Sequence, residues 1–188
     1  RPAAVDEAAA GAPFTVGCVG QLERRKRPED VLRAIARVPG ARAVFVGGGK
    51  AAAGVAGLAR ELDVADRVEL RGYQADVPAE AARFDCLAVP SLDEGFGLVA
   101  AEAMALGVPV VAARSGALPE ILGDAALYFT PGDPEDLGRQ IERLRAEPGL
   151  RRELAERGLR RAETFDRERW LDGLEAVLAD ALSNGVAP

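Results

Sequence analysis

The sequence predicts an α/β protein, a doubly wound parallel sheet with helices at its C-terminal end, and three observations carry that reading. Short runs rich in Val, Ala and aromatic residues alternate with helical patterns from Phe14 to Phe129. Several of these runs are apolar enough to be strands buried on both faces, as a parallel sheet requires. After Phe129 the pattern becomes purely helical.

Taken in order, the first strand pattern is FTVGCV, Phe14 to Val19, and a loop from Gly20 to Asp30 leads into a helix over Pro28 to Val38, with proline in its first turn. The second strand pattern is RAVFVGGG, Arg42 to Gly49, followed by a helix over Ala51 to Leu62. RVELRG (Arg67 to Gly72), a short helix over Pro78 to Arg83, and DCLAVPS (Asp85 to Ser91) come next. A helix over Leu98 to Leu106 separates the last of these from VPVVAA (Val108 to Ala113) and AALYF (Ala125 to Phe129). DPEDLGRQIERLRAE and GLRRELAERGLRRAE are amphipathic, and DRERWLDGLEAVLADAL closes the helical part. These helices are expected to pack outside the sheet or to reach a neighbour. Residues 1–13 read as a linker, 14–165 as one domain, and 166–188 as a C-terminal helix and tail. With no initiator Met and no signal-peptide pattern, RPAAVDEAAAGAP reads as the start of an excised piece of something longer.

At 188 residues the chain is long enough for one domain with a real core. Its 48% hydrophobic and 29% charged composition is globular, and no apolar run approaches a membrane span. A net charge of -6 argues against a general nucleic-acid binder, which needs cations to exchange for counterions. Cys18 and Cys86 both lie in apolar strand patterns, where a reduced thiol acts as a small hydrophobe, so a reducing, cytoplasmic compartment is expected. The chain has no histidine. It therefore supplies no Ser-His-Asp triad, no His-ligated zinc and no imidazole acid or base.

In parallel sheets the loops leaving the carboxyl ends of the strands gather on one edge, and ligands bind there. Of 24 basic residues only Lys26 and Lys50 are lysines, each in a loop shortly after a strand pattern. The first loop, GQLERRKRPED, brings Arg24, Arg25, Lys26 and Arg27 to the start of a helix, where a phosphate could be held. Four adjacent side chains cannot all point inward, so Arg24 and Arg27 are expected in solvent. Gly47, Gly48 and Gly49 would let backbone approach a ligand closely, although a plain tight turn reads the same. GCVGQL lacks the third glycine of a dinucleotide fingerprint and no ribose-binding acid follows at the right distance, so a dehydrogenase is rejected.

The stretch EGFGLVAAEAM delivers Gly95 and Gly97 to a helix N-terminus, whose free N–H groups and dipole receive phosphate. Glu102 has Leu98, Val99, Ala105 and Leu106 at helical spacings, so its own helix offers it no partner. Either the helix edge lets it reach solvent, or it serves a ligand. A carboxylate binds diols well and phosphate badly. Glu94 beside a phosphate then makes sense as a grip on the hydroxyls of an attached sugar, and Glu102 as a grip on a ribose.

At this point the chain resembles the C-terminal, donor-binding half of retaining GT-B glycosyltransferases, in particular glycosyltransferase family four. VGQLERRKRPEDVLRAI is similar to that family's Gly-Arg-Leu, three residues, Lys segment, and VFVGGG to its glycine turn. VELRGY, DCLAVPSLDEGFGLVAAEAMALGVPVVAA and GALPEILGDAALYFTPGDPEDL follow in the family's order. The resemblance implies a Rossmann-like half of a GT-B fold and a hexose transferred from a UDP-, GDP- or ADP-sugar to an acceptor hydroxyl with retention, without metal or other cofactor. It implies that Lys26, with Arg25, stabilises the diphosphate leaving group, and that N–H groups of Phe96, Gly97, Leu98 and Val99 receive the distal phosphate. Glu94 would hold the sugar and Glu102 the ribose, Tyr73 would border the base, and Gly48 with its neighbours would lie under the nucleotide. The acceptor-binding N-terminal half is absent, so this domain alone is expected to bind donor without transfer. The surface that Trp170 and its helix would pack against that half could support self-association, and a lipid acceptor would make the protein peripheral to a membrane. One departure stands out: Gln21 occupies the place of the family's Arg. Removing a charged donor from such a clamp costs roughly 10²- to 10³-fold in rate by analogy with oxyanion sites. A weak or inactive nucleotide-sugar-binding module, or another GT-B enzyme such as an epimerase, are the alternatives.

Overall fold

The structure, a computed structural model, describes residues 12–165. The C-terminal helical pattern with Trp170 and most of the N-terminal linker lie outside the described residues. Six strands, β1 (Phe14–Val19), β2 (Ala41–Val46), β3 (Val68–Gly72), β4 (Cys86–Val89), β5 (Val110–Ala113) and β6 (Ala126–Phe129), form one sheet. Every pairing is parallel and the order is β3-β2-β1-β4-β5-β6. The chain winds one way from β1 to β3, then crosses back to lay β4 on the other side of β1. All six carboxyl ends therefore meet on one edge, and the order reverses between β1 and β4.

Successive side chains of a strand point to opposite faces, and the sheet divides accordingly. Val16, Cys18, Phe45, Cys86, Val111 and Phe129 face a core built with α1 (Pro28–Arg37), α2 (Ala52–Glu61) and α6 (Pro134–Ala146). Val44, Val46, Leu87, Val110 and Ala112 face a second core with α3 (Val77–Ala81), α4 (Leu98–Ala105) and α5 (Leu118–Leu122). The last described helix, α7 (Pro148–Ala162), places Leu154 in the first core and its end, Ala162, against the second. Gly17 sits on the second face of β1 because Phe84 packs there: a Cβ would fall 1.9 Å from the Phe84 ring. Arg67 closes the end of α1 by donating to the carbonyls of Ile35, Val38 and Ala41. Asp133 caps α6 through hydrogen bonds from the Glu135 and Asp136 amides.

The doubly wound α/β class is the one the sequence predicts. The differences are local. The glycines after β2 lie beyond the strand, which ends at Val46. Helix α3 starts and ends earlier than expected, at Val77 and Ala81, with Asp76 as its N-cap. Helix α5 was not expected, since one and a half turns between glycines carry no period to read.

Candidate functional site

The reversal of strand order opens a crevice between the loops that leave β1 and β4, the place where open α/β sheets bind ligands. A cleft of about 430 Å³ occupies it, walled by Gly20, Gln21, Leu22, Arg25 and Lys26 on one side and by Ser91 and the run from Glu94 to Ala100 on the other. Its floor includes Cys18 and Ala88. Burial pushes the Cys18 thiol up to about 12 despite the opposing pull of Lys26, so the floor is an unreactive apolar surface.

The β1 loop is built to present its cations. Leu22 is buried, and its amide donates to the Gly48 carbonyl at 2.9 Å while its carbonyl accepts from the Ala51 amide at 2.9 Å. Gly47 and Gly49 are glycine for this reason. Added Cβ atoms would stand 2.1 Å from the Gly20 oxygen and 2.4 Å from the Leu22 oxygen. The close approach expected at this turn is thus made to the β1 loop, and Gly48 alone has open space around it. Arg24, Arg25 and Lys26 then form a single 3₁₀ turn.

Arg27, expected in solvent, is instead structural. It holds a left-handed conformation at φ 51°, and its guanidinium makes two 2.8 Å hydrogen bonds to the fully buried carboxylate of Asp30. Those bonds raise the guanidinium above its ordinary range. Arg24 is exposed, as expected.

Lys26 turns into the cleft and donates to Glu94 at 2.5 Å, with the two side chains 24% and 14% exposed. Arg25 approaches Glu23 at 2.9 Å outside hydrogen-bond geometry, leaving Glu23 Oε1 without a hydrogen bond and the guanidinium more than half exposed. A backbone bond from the Leu92 amide to the Arg25 carbonyl, 3.0 Å, stitches the two walls together.

The β4 loop is held from behind by the loop after β5. The Ser115 hydroxyl donates to the Ser91 carbonyl at 2.6 Å, and the Ala117 amide to the Glu94 carbonyl at 2.9 Å. Gly97 is the N-cap of α4 at φ 80°. A Cβ there would stand 2.8 Å from Leu118. Ala100 and Ala101 donate back to the Gly97 carbonyl, whereas the amides of Leu98 and Val99 have no acceptor among the described residues. Two orphan donors and the positive end of the helix dipole therefore meet the cleft opposite Lys26. Phe96 is backed by Phe165, ring centroids 5.9 Å apart and nearly perpendicular.

Gln21, Arg25, Lys26, Glu94, Phe96, Gly97, Leu98 and Val99 all line this one cleft. Gly48, Tyr73 and Glu102 do not. Glu102 is exposed on α4 and so reaches solvent, one turn beyond Leu98 on the same helix face. Tyr73, 87% exposed, follows β3, two strand spacings or about 10 Å across the sheet from β1. Lys50 is exposed and off the cleft wall. Sequence reasoning missed the latch from Ser115 to Ala117 and the bond from Leu92 to Arg25, both of which join segments far apart in the chain.

The model of the family described as "Glycosyl transferases group 1" matches residues 4–161. D-inositol 3-phosphate glycosyltransferase of Segniliparus rotundus is 37% identical over 184 residues, covering 90% of this chain and 40% of that protein. The Mycobacterium marinum protein of the same name is 36% identical over 183 residues, with 92% and 39% covered. The chain thus spans about 40% of the length of these relatives. Among solved structures, Anabaena Alr3699/HepE in complex with UDP superposes with a TM-score of 0.86 at 26% identity, covering 90% of this chain and 50% of that one. Sucrose-phosphate synthase from Thermosynechococcus elongatus gives a TM-score of 0.84 at 29% identity, with 93% and 47% covered. A cleft at the strand-order reversal, cations facing a helix N-terminus across it, and a family match over residues 4–161 together establish that the chain belongs to the group 1 glycosyl transferases.

Proposed function

We propose that the chain is the donor-binding domain of a retaining glycosyltransferase that moves a hexose from a nucleotide diphosphate sugar to an acceptor hydroxyl. The observation that carries this reading is the pairing of Lys26 with the open amides of Leu98 and Val99 across one cleft. Such a pair fits a diphosphate. When the bond from sugar to diphosphate breaks, negative charge grows on the leaving oxygen, and preorganised cations and N–H groups lower that barrier. Lys26, Arg25 and the α4 terminus supply the neutralisation without a metal or another cofactor. Glu94 holds the hexose hydroxyls. Glu102, one turn along from Leu98, holds the ribose; Tyr73 borders the base and Gly48 lies under the nucleotide. The binding of UDP by Alr3699/HepE supports a nucleotide in this cleft.

The acceptor site belongs to a part of the protein that this chain does not contain, so residues 14–165 bind donor without transferring it. Gln21 lines the cleft where the family pattern has a charged Arg, which favours a second reading, a module that binds but transfers slowly or not at all. Calorimetric titration with UDP-, GDP- and ADP-hexoses, with and without EDTA, tests the donor binding that both readings require, and product analysis on the intact protein separates them. Micromolar to low-millimolar binding that is insensitive to EDTA and lost in Lys26→Ala and Glu102→Ala supports the donor site, and absence of binding to any of them overturns it. Among the described residues no helix is long and apolar enough to cross a membrane.

A further inference from the structure

Lys26 and Glu94 neutralise each other in the ligand-free cleft, and they do so across the two walls. A ligand that needs the Lys26 cation must share it with a carboxylate already in contact. Building on the donor-site reading above, we propose that Glu94 is a specificity-determining residue that makes the cleft prefer the sugar ester of a nucleoside diphosphate over the free diphosphate.

The physics lies in the charge of the terminal phosphate. Free, it carries a second ionisable oxygen whose pKa near 6 leaves it mostly dianionic at neutral pH. Esterified to a hexose, it loses that charge and offers hydroxyl donors instead. Glu94 stands where the terminal group must lie, because its partner Lys26 and the Leu98 and Val99 amides flank the same space. The carboxylate accepts hydrogen bonds from hydroxyls and repels a second phosphate charge. Its surroundings strengthen the repulsion: the side chain is only 14% exposed, so screening by water is weaker than at an open surface. Its backbone cannot swing away readily, since the Ala117 amide holds the Glu94 carbonyl and Gly116 lies against it. The same residue would then speed release of the nucleoside diphosphate once the sugar has left.

The test is a titration of wild type and Glu94→Gln with UDP, GDP and ADP and with their hexose esters, each variant's folding checked by thermal unfolding. Glutamine keeps size and hydrogen bonding but removes the charge and releases Lys26. The expected result is about fivefold tighter binding of the free diphosphate by Glu94→Gln and weaker or equal binding of the ester, so that the preference ratio falls by at least about fivefold. A free diphosphate bound equally or more weakly by Glu94→Gln than by wild type overturns the proposal while leaving the donor site standing. Wild type that binds neither form overturns the donor site itself. If Glu94→Gln does not fold, Glu94→Ser is used, with the same two outcomes.

Discussion

Gly116→Ala alters no charge and lies behind the cleft wall, yet it should weaken both the fold and the cleft. Gly116 sits at φ 51°, where a Cβ costs roughly 1–2 kcal/mol. The added atom would stand 2.4 Å from the Glu94 carbonyl oxygen and 2.8 Å from its amide nitrogen. Reaching an ordinary 3.4 Å contact requires retreat by about 1 Å (3.4 − 2.4). Both near atoms are backbone, so no flexible side chain can yield. The retreat also stretches the 2.9 Å bond from the Ala117 amide to that oxygen, worth about 0.5–1.5 kcal/mol. Together the terms give roughly 1.5–3.5 kcal/mol, or a fall in Tm on the order of 3–14 °C for a chain of this size. Because the displaced residue is Glu94, whose side chain lines the cleft, the shift should also weaken binding of a nucleotide sugar. Differential scanning fluorimetry and calorimetric titration read the two effects. A variant that melts within about 2 °C of wild type and binds as tightly would refute the account of the latch behind the cleft.

The other predictions concern stability and reactivity. Gly54→Ala, in the interior of α2 with open space around the new methyl, should stabilise by about 0.5–1 kcal/mol in urea unfolding, and a loss would show that the helix needs the glycine. Arg27→Ala leaves Asp30 buried with, among the described residues, only the Arg33 cation at 3.7 Å, and should cost about 3–5 kcal/mol, whereas a change under 1 kcal/mol would make the pair dispensable. Both thiols are buried and pushed up by that burial, so native protein at pH 8 should resist maleimide that labels both in denaturant. Glu69 and Glu142 are held below their ordinary 4.5 by hydrogen bonds from Arg71 and Arg145. In Asp136, desolvation is outweighed by hydrogen bonds from the Thr130 amide, Gln140 and Arg139. Carboxylates with lowered folded values add stability above their unfolded pKa and lose it as pH falls through the folded one, so Tm should hold from pH 7 to 5 and fall below about 4.5.

The layered architecture can be read from the sequence because most of the strand patterns are short and apolar and the long helices keep their period. What failed was local. Helix α5 was too short to show a repeat, and the glycine run after β2 could not reveal that Gly47 and Gly49 pack on the neighbouring loop. The cleft residues were legible because Lys26, Glu94 and Gly97 lie in loops that follow strands, which topology sends to one edge. Arg27 was misplaced because its partner, Asp30, reads as an ordinary first-turn acid until it is seen to be wholly buried. The latch through Ser115, Gly116 and Ala117 was invisible, since nothing local in a chain announces which carbonyl a distant amide will meet.

The outer strand β3 has a bearing on how the molecule keeps its own company. Unpaired strand edges invite other chains to add themselves, and charge along the rim discourages such additions. Here Arg71 is gripped by Glu69 on the same strand and by Glu80 of α3, two acids around one guanidinium. A second copy drawing alongside would meet the same charges facing it and would have to break that cluster to dock. The flank of the sheet thus carries its own guard against ribbon-like polymerisation.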